Sequence, residues 1–419
     1  MGNNMMFHGC DVSALAEKYG TPLYLVSEDA IRERFAEIRE SLTEKYENTR
    51  AAYASKAFQT LEMMRIVKSE GMSLDVVSGG EIYAAMKAGV DPAVMVFHGN
   101  SKTDREIIEG LEAGVGVFVV DNDSELERLN EYAAERGKVQ SILLRVTPGV
   151  DSHTHSYIST GQLDSKFGFS PEKTEQVIAK ADSLPGIDMK GIHFHIGSQL
   201  MENDSHIMGL EIILELLREL KAKHGWTARE LNCGGGFGVH YAGDPDRVKL
   251  ADFMDPMMEK ITAFYQEQGD PRPLITIEPG RWVVAEAGIT VYEVGAVKKN
   301  AAGRIYAGID GGFPDNPRTE LYNAAYEVEA VEKTGELHDV KTTIAGKCCE
   351  SGDIIAYDVM LPALERGDHI AIFATGAYNY TMSSNYNKLG RPPVVMIRNG
   401  KDRLTVKRET YEDMIRNEL

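Results

Sequence analysis

Short apolar runs alternate with segments of helical period between about residues 49 and 280 of this 419-residue chain. The runs are rich in β-branched residues, and the segments between them, such as "SELERLNEYAAERG", place apolar residues three and four apart. The runs predict eight strands, at 50–54, 73–77, 95–98, 116–120, 141–146, 191–196, 230–233 and 274–278. Eight strand–helix units in succession predict an α/β fold with a closed (β/α)8 barrel of the TIM type.

The pattern changes after Gly280, where segments such as "ITVYEVGAVKKN" and "HIAIFATGAY" show strands and turns with little helical period. We predict a β-rich, sandwich-like or barrel-like domain over 282–419. Upstream of the barrel at 31–281, the strand-like "PLYLV" lies within an N-terminal segment, 1–30, that we expect to pack with the β-rich domain.

Composition narrows the class of partner. The net charge of −19 argues against binding to nucleic acid or to anionic membranes, and no apolar run approaches the roughly 18 residues of a membrane span. The first residues lack the features of a signal peptide, and four cysteines without a spaced framework are typical of a reducing compartment. We therefore expect a cytoplasmic protein that acts on a small molecule.

Polar residues follow the predicted strands, at the end where barrel enzymes carry their chemistry. They are Lys56, Asp75, Ser78, His98, Asp121, Arg145, His195, the glycine run "GGGFG" at 234–238 and "EPGR" at 278–281. Core filling at random would not place ionisable groups at one end of a barrel. The pattern predicts a pocket there.

Two of these features together favour pyridoxal phosphate (PLP). A lysine beyond a buried strand, Lys56, can form a Schiff base, and consecutive glycines expose backbone N–H groups to a phosphate. Glu278 is suited to a pyridine nitrogen and Arg281 to a phosphate or a substrate carboxylate. Taken singly, each has a structural alternative: a solvated lysine, a tight turn and an ion pair.

The histidines allow a different function. "HFHIG" and "HTHS" are His-x-His patterns, and His193 and His195 would share one face of a strand. The alternative is a metal-dependent barrel hydrolase. The sequence shows no convincing third and fourth ligand at a suitable strand end, so we predict no metal site.

The segment "DSHTHSYISTGQLDSKFGFS" shows little regular pattern over about twenty residues. Loops of this length inside a compact barrel are usually functional or disordered. We expect the loop at 149–169 to be a lid or an interface element.

Ordered motifs along most of the chain resemble the fold-type III PLP-dependent decarboxylases, whose barrel is like that of alanine racemase. They are "YASKAF", "DVVSGGE", "YISTGQLDSKFGF", "GIHFHIGSQL", "NCGGGFGVHY", "EPGRWVV", "NPRTELYNA", "CESGD" and "GAYNYTMSSNYN". The resemblance implies a decarboxylase; a non-catalytic PLP carrier of the same barrel would need neither a β-rich domain nor "CESGD".

The resemblance also implies a role for each site residue. Lys56 carries the cofactor, His195 stacks on its ring, Glu278 pairs with the ring nitrogen and Asp75 supports that end of the site. The phosphate is bound by residues of several segments, namely Ser198, Gly235, Gly236, Arg281 and Tyr378. Cys349 of "CES" donates a proton to the substrate Cα, from the second subunit of a head-to-tail homodimer.

The implied substrate is meso-2,6-diaminopimelate and the implied product L-lysine, because an arginine suits a distal carboxylate and an acid suits a distal ammonium. The residues of this set are Arg281, Arg318, Tyr322, Glu350 and Tyr378. Arg318 decides against a substrate such as ornithine, which has no distal carboxylate.

Several positions depart from the pattern of the family. They are Phe58 in "YASKAF", Thr319 and Glu320 in "RTELY", and Lys347 and Cys348 in "GKCCES". These departures do not affect the cofactor chemistry. With them, another bifunctional amino acid or a carboxylated polyamine precursor stays open as the substrate. We expect Cys348 to serve in packing, because the family has no thiol there.

Overall fold

A computed structural model describes residues 4–150 and 165–419. Most of the predicted lid, 149–169, lies outside the described residues. The chain divides into two compact units: one comprises Arg34–Gly238 and Arg247–Trp282, and the other comprises the N-terminal segment to Glu33, Val239–Asp246 and Val283–Leu419.

The strands of the described residues are β1 (Met6–Phe7), β2 (Cys10–Asp11), β3 (Leu23–Ser27), β4 (Thr49–Ala54), β5 (Ser73–Val76), β6 (Met95–Phe97), β7 (Val117–Val120), β8 (Gln140–Arg145), β9 (Ile187–His193), β10 (Glu230–Asn232), β11 (Leu274–Ile277), β12 (Gly288–Lys299), β13 (Ile305–Ile309), β14 (Val328–Ala330), β15 (Val340–Ala345), β16 (Ile354–Leu361), β17 (His369–Ile372), β18 (Val394–Arg398) and β19 (Lys401–Val406).

The α-helices of the described residues are α1 (Val12–Tyr19), α2 (Glu28–Ile38), α3 (Leu61–Ser69), α4 (Gly79–Lys87), α5 (Asp104–Ala113), α6 (Asp123–Glu135), α7 (Pro171–Asp182), α8 (Asp204–His224), α9 (Leu250–Gln268), α10 (Arg281–Val284), α11 (Arg318–Tyr322) and α12 (Tyr411–Ile415).

Strands β4 to β11 form a closed barrel of parallel strands, in which each strand pairs with the next along the chain and β11 pairs with β4. The prediction of a (β/α)8 barrel is confirmed. Seven of the eight predicted strands agree with the structure to within one residue at each end. The sixth is wrong in its bounds: β9 begins four residues earlier and ends at His193, so that His195 lies beyond it.

Small polar residues end the turns from strand to helix because they cap the helix that follows. The side chains of Thr60, Ser78, Thr103 and Asn122 accept hydrogen bonds from the first turns of α3, α4, α5 and α6. Ser78, which the sequence places among the pocket residues, is therefore a helix cap. Part of the polar pattern at the strand ends thus comes from capping.

The second unit is built on a nine-stranded sheet in which β3 lies between β12 and β18, antiparallel to the first and parallel to the second. Apolar side chains of these three strands form one buried cluster that includes Leu25, Val291 and Ile397. Strand β3 of the N-terminal segment thus belongs to the core of the β-rich unit.

Strand β16 was missed by the sequence analysis. It lies at the end of the sheet and pairs with β15, with two irregularities in its register. Exposed side chains such as Tyr357 and Met360 interrupt its burial, so the period of two that identifies a strand is lost.

No helix in the described ranges combines the length and the apolar character needed to cross a membrane.

Glu28, at the start of α2, is 1% exposed and joins the N-terminal segment to the C-terminal strands. Its carboxylate pairs with Arg32 at 2.7 Å, Arg398 at 3.1 Å and Arg403. Burial alone would raise the pKa of Glu28, but the hydrogen bonds from Arg32 and Arg403 hold it below its ordinary value. The ion pairs therefore stabilise the fold wherever Glu28 is ionised.

We expect Glu28→Gln to lower the free energy of unfolding by about 2 kcal/mol at neutral pH, because three guanidinium groups lose their counter-ion. A lowered folded-state pKa gives stability that is present above the unfolded-state pKa and lost as the pH falls through the folded one. The difference between wild type and variant, measured by urea unfolding, should therefore shrink under acidic conditions. Glu418→Gln, in an exposed pair with Lys388, should have almost no effect. An equal loss in both variants would contradict this role of Glu28.

Candidate active site

Lys56 lies in a single 3-10 turn, Ser55–Ala57, directly after β4. It is the one exposed residue between positions 51 and 58, and its neighbours Ala57 and Phe58 are buried. The Tyr53 hydroxyl donates to the carbonyl of Phe58 at 3.0 Å. Phe58, a departure from the family pattern, is thus a core residue, whereas Lys56 is exposed.

Glu278 follows β11 and is the centre of a buried polar cluster. Its Oε1 accepts from His98 Nε2 at 2.7 Å and from Asn232 Nδ2 at 2.6 Å, and its Oε2 accepts from His193 Nε2 at 3.1 Å. The three donors stand at or just beyond the ends of β6, β10 and β9. Closure of the barrel brings them together, although they are far apart in sequence.

The cluster holds Glu278 ionised. Burial alone would raise the pKa of Glu278, but His98 and His193 hold it well below its ordinary value. Burial lowers the pKa of His193 to about 4, so its imidazole is neutral at neutral pH. Asp75, on β5, has its pKa raised by burial, and its Oδ1, 3.8 Å from His98 Nε2, has no hydrogen-bond partner among the described residues.

The structure brings together three residues that could bind a metal ion, which bears on the alternative of a metal site. Ligand atoms of His98, His193 and Glu278 all lie within 4.8 Å of one another. The expectation that the His-x-His motif would place both of its histidines together is not met, because His195 lies outside this group. The imidazole nitrogens of His98 and His193 lie 2.7 and 3.1 Å from the carboxylate oxygens of Glu278, which are the distances of direct hydrogen bonds.

His195 follows the end of β9 and contacts the glycine loop. Its Nδ1 accepts from the backbone N–H of Gly235 at 3.2 Å. Burial, and next the positive charge of Lys56, hold the pKa of His195 well below its ordinary value. A neutral imidazole in this position can stack on a flat ring without adding a charge.

The glycine loop packs so tightly that side chains are excluded. Gly236 has φ +107°, and a Cβ there would collide with the carbonyl of Gly197; a Cβ on Gly234, at φ +67°, would lie 2.6 Å from the carbonyl of Phe194. Next to this loop, Arg281 donates to Ser198 Oγ at 3.1 and 3.3 Å. The barrel unit therefore presents a backbone cradle, a hydroxyl and a guanidinium, which together suit a phosphate.

These groups fit PLP. An exposed amine, Lys56, a phosphate cradle at 234–236 and an ionised buried carboxylate, Glu278, are the three groups that the cofactor needs. The buried Oδ1 of Asp75, unpartnered within the described residues, marks a further polar position that a bound group can satisfy.

The β-rich unit holds a buried cation. Arg318, at the start of α11, is 6% exposed, and its Nε donates to Tyr326 Oη at 3.1 Å. Its guanidinium lies over the rings of Tyr322, Tyr378 and Tyr241, 5.2, 5.5 and 6.0 Å from their centroids. Within the described ranges, no carboxylate lies within ion-pairing distance of it.

The cysteine loop lies in the same unit, between β15 and β16. Cys349 is exposed, and its N–H donates to Asn387 Oδ1 at 2.8 Å. The N–H of Cys348 donates to Asp353 Oδ2 at 2.8 Å, and burial and then Asp353 raise the pKa of the Cys348 thiol to about 12. Tyr386 donates to the Glu350 carboxylate at 3.5 Å.

The remaining departures from the family pattern also lie in this unit. The hydroxyl of Thr319 donates to the carbonyl of Ile355 at 2.8 Å and thereby ties α11 to β16. The carboxylate of Glu320 lies against Gly352, where a Cβ would be 2.8 Å from its Oε2. Lys347 donates its N–H to the carbonyl of Gly311 at 2.9 Å.

Sequence reasoning missed several residues of these clusters. It noted His98 only as a strand end and considered His193 only as a metal ligand. Asn232 carries the strand-end signal and was overlooked. Tyr326, Tyr241 and Asn387 carry no local signal, because only the fold brings them to their partners.

Comparison with known proteins covers the whole chain. The family described as "Pyridoxal-dependent decarboxylase, pyridoxal binding domain" matches residues 28–285. The diaminopimelate decarboxylase of Bacillus subtilis (strain 168) is 43% identical over 413 residues, covering 98% of this chain and 94% of the relative. That of Mycobacterium tuberculosis (H37Rv) is 38% identical over 422 residues, with coverage of 98% and 94%.

Solved structures of decarboxylases are also similar to this chain. Diaminopimelate decarboxylase from M. jannaschii, in co-complex with L-lysine, has a TM-score of 0.93 and 34% identity, covering 99% of this chain and 96% of that one. Lysine/ornithine decarboxylase from Vibrio vulnificus, complexed with cadaverine, has a TM-score of 0.80 and 26% identity, with coverage of 92% and 97%. The first relative is nearer in both sequence and structure.

We expect Gly236→Ala to destabilise the barrel unit by about 3 kcal/mol, because the added methyl meets a carbonyl in addition to the strain of positive φ. The matched control is Gly225→Ala in the same unit, at φ +67° with nothing within 4 Å of its Cβ, which should cost about 1 kcal/mol. Urea unfolding measures both. Equal losses would show that the loop at 234–236 is not closely packed.

Proposed function

Because the chain belongs to the pyridoxal-dependent decarboxylases, and within them to the diaminopimelate decarboxylase family, we propose that it converts meso-2,6-diaminopimelate into L-lysine and CO2. The observation that carries this substrate is Arg318. A buried guanidinium without a carboxylate partner among the described residues is costly unless a ligand supplies the anion. The distal carboxylate of diaminopimelate is such an anion, whereas lysine and ornithine have none to offer.

The cofactor is PLP, which when bound supplies an electron sink for the pair left behind as CO2 departs. In the proposal, the amine of Lys56 would hold the cofactor. Glu278 keeps a proton on the ring nitrogen, and Asp75 supports that end of the site. His195 packs on the face of the ring. The phosphate is bound by Ser198, Gly235, Gly236, Arg281 and Tyr378.

Cys349 is the proposed proton donor. After CO2 has left, the substrate Cα needs a proton, and a thiol with a reference pKa of about 8.5 is largely protonated at neutral pH. The structure leaves Cys349 exposed, which suits a group that must reach a substrate. Cys348 is half-buried, with a thiol pKa raised further. Of the two adjacent thiols, Cys349 is thus the accessible one.

The proposed substrate contacts divide by charge. Arg318 binds the distal carboxylate, with Tyr322 and Tyr378 beside it. Glu350 binds the distal ammonium, and Arg281 lies toward the reacting end. The departures at Thr319 and Glu320 do not change this assignment, because Thr319 is bound to the backbone of β16 and Glu320 lies against Gly352.

We further propose a cytoplasmic homodimer in which Cys349 serves the active site of the partner subunit. In this arrangement residues 31–281 form the cofactor-binding barrel, residues 282–419 the β-rich domain that completes the site, and residues 1–30 a segment packed with that domain. The pairing of β3 with β12 and β18 supports the last of these assignments.

A CO2-release screen of the PLP-loaded protein tests the substrate. We expect turnover of meso-diaminopimelate and little of lysine or ornithine. Arg318→Gln should lower kcat/KM for meso-diaminopimelate by roughly 100-fold or more, since a charge pair with a desolvated partner is lost. Arg304→Gln, on the exposed surface of the same unit, is the control and should leave kcat/KM unchanged. Preference for ornithine by the wild type would refute the assignment of Arg318.

Substitution of each of the two adjacent cysteines provides a matched pair of variants that tests the proton donor. We expect Cys349→Ala to lower kcat by roughly 100-fold or more, the usual contribution of a positioned general acid, while binding of PLP is retained. Cys348→Ala should change kcat little, because its thiol is held against Asp353. Single-turnover CO2 release and steady-state rates measure the two effects. Undiminished turnover by Cys349→Ala, or a larger loss in Cys348→Ala, would remove Cys349 from the mechanism.

A further inference from the structure

We infer that His98, His193 and Asn232 are positioning residues: three hydrogen-bond donors that fix the orientation of the Glu278 carboxylate toward the ring nitrogen of the cofactor. The inference rests on the proposed function, which assigns Glu278 to that nitrogen. It adds a role for three residues to which the proposed function assigns none.

The geometry of the cluster defines the role. Both oxygens of Glu278 are held, Oε1 by His98 and Asn232 and Oε2 by His193, at distances between 2.6 and 3.1 Å. His98 and His193 also brace each other, with ring centroids 4.8 Å apart and planes at 70°. Because the three donors come from three different strand ends, any rotation of the Glu278 carboxylate would break at least one of its hydrogen bonds.

Two of the three donors, Asn232 and His193, hold the carboxylate without carrying a charge of their own. Asn232 is an amide and His193 is neutral at neutral pH because of its burial. An imidazole that donates through Nε2 and is neutral carries no proton on Nδ1, and Nδ1 of His193 indeed has no hydrogen-bond partner among the described residues. No lysine or arginine nitrogen within the described ranges lies within ion-pairing distance of Glu278. A cationic donor would offset the negative charge that a protonated ring nitrogen requires.

The donors also leave room for one more bond. A carboxylate offers about four lone-pair positions, two on each oxygen. Oε1 uses both of its positions, and Oε2 uses one, for His193. The remaining position on Oε2 can accept the N–H of a protonated pyridine ring.

The test compares binding of PLP with binding of its 1-deaza analogue, in which CH replaces the ring nitrogen. We expect the wild type to bind PLP at least about tenfold more tightly, since a hydrogen bond to a charged group contributes about 1.5–3 kcal/mol. In His98→Leu and in His193→Leu this ratio should fall by about fivefold or more. In His98→Gln and His193→Gln, which keep an N–H donor near the position of Nε2, the ratio should stay close to that of the wild type.

The ratio separates this role from a structural one, because general damage to the pocket weakens both ligands alike. The control is His224→Leu, which removes a surface histidine that is 2.8 Å from Glu175 and should leave the ratio unchanged. The 15N signal of ring-labelled PLP gives an independent measure. It should move toward that of unprotonated pyridine in the Leu variants and not in the Gln variants.

The outcomes are distinct. A wild type that binds no PLP would overturn the proposed function, and one that binds both cofactors equally would overturn the assignment of Glu278. A wild type that discriminates, with Leu variants that discriminate equally, would overturn only the role of the histidines. If one Leu variant does not fold, the ratio of the other decides, since each histidine holds a different oxygen of Glu278.

Discussion

Closure of the barrel between its first and last strands is the constraint on which the site depends. The pairing of β11 with β4, in the register Ile277 with Ala51, brings the residues that follow β11 to the strand that leads into the turn of Lys56, where the N–H of Ala54 donates to the carbonyl of Pro279 at 3.1 Å. Because every strand is parallel, its neighbours also deliver their last residues to the same rim. Glu278 meets donors from β6, β9 and β10 there. An open sheet of the same strands would leave these residues on separate edges.

The buried charged groups of the two units are of two kinds, which differ in their partners. Glu278 is an anion held by two imidazoles and an amide, and Arg318 is a cation surrounded by tyrosines; among the described residues, no lysine or arginine lies within ion-pairing distance of Glu278 and no carboxylate within that distance of Arg318. Glu28, by contrast, is an acid met by three arginines, which is how a structural charge is stabilised. Hydrogen bonds orient Glu278 and Arg318, and neither group has a partner of the kind that stabilises Glu28, so both are suited to bind a ligand.

The sequence predicted seven of the eight barrel strands to within one residue because these strands are buried on both faces, and a continuous apolar run bounded by helical period has few other solutions. It identified Lys56, the loop at 234–236 and Glu278 for a similar reason, since each directly follows a strand. Strand β16 was missed because its half-exposed side chains carry no period. The roles of His98 and Tyr326 could not be predicted, because a hydrogen bond between residues far apart in sequence leaves no mark in either segment.

Two adjacent residues of the same type can differ in environment because their backbone amides bind different partners. Successive amides of the cysteine loop are bound by different side chains, that of Cys348 by Asp353 and that of Cys349 by Asn387. Asp353 is 2% exposed, so its hydrogen bond draws the first cysteine inward, whereas the second stays at the surface. The carboxylate that holds the Cys348 amide also raises the pKa of its thiol. Burial and one aspartate therefore account for the low acidity of Cys348, whereas the thiol beside it, Cys349, is exposed.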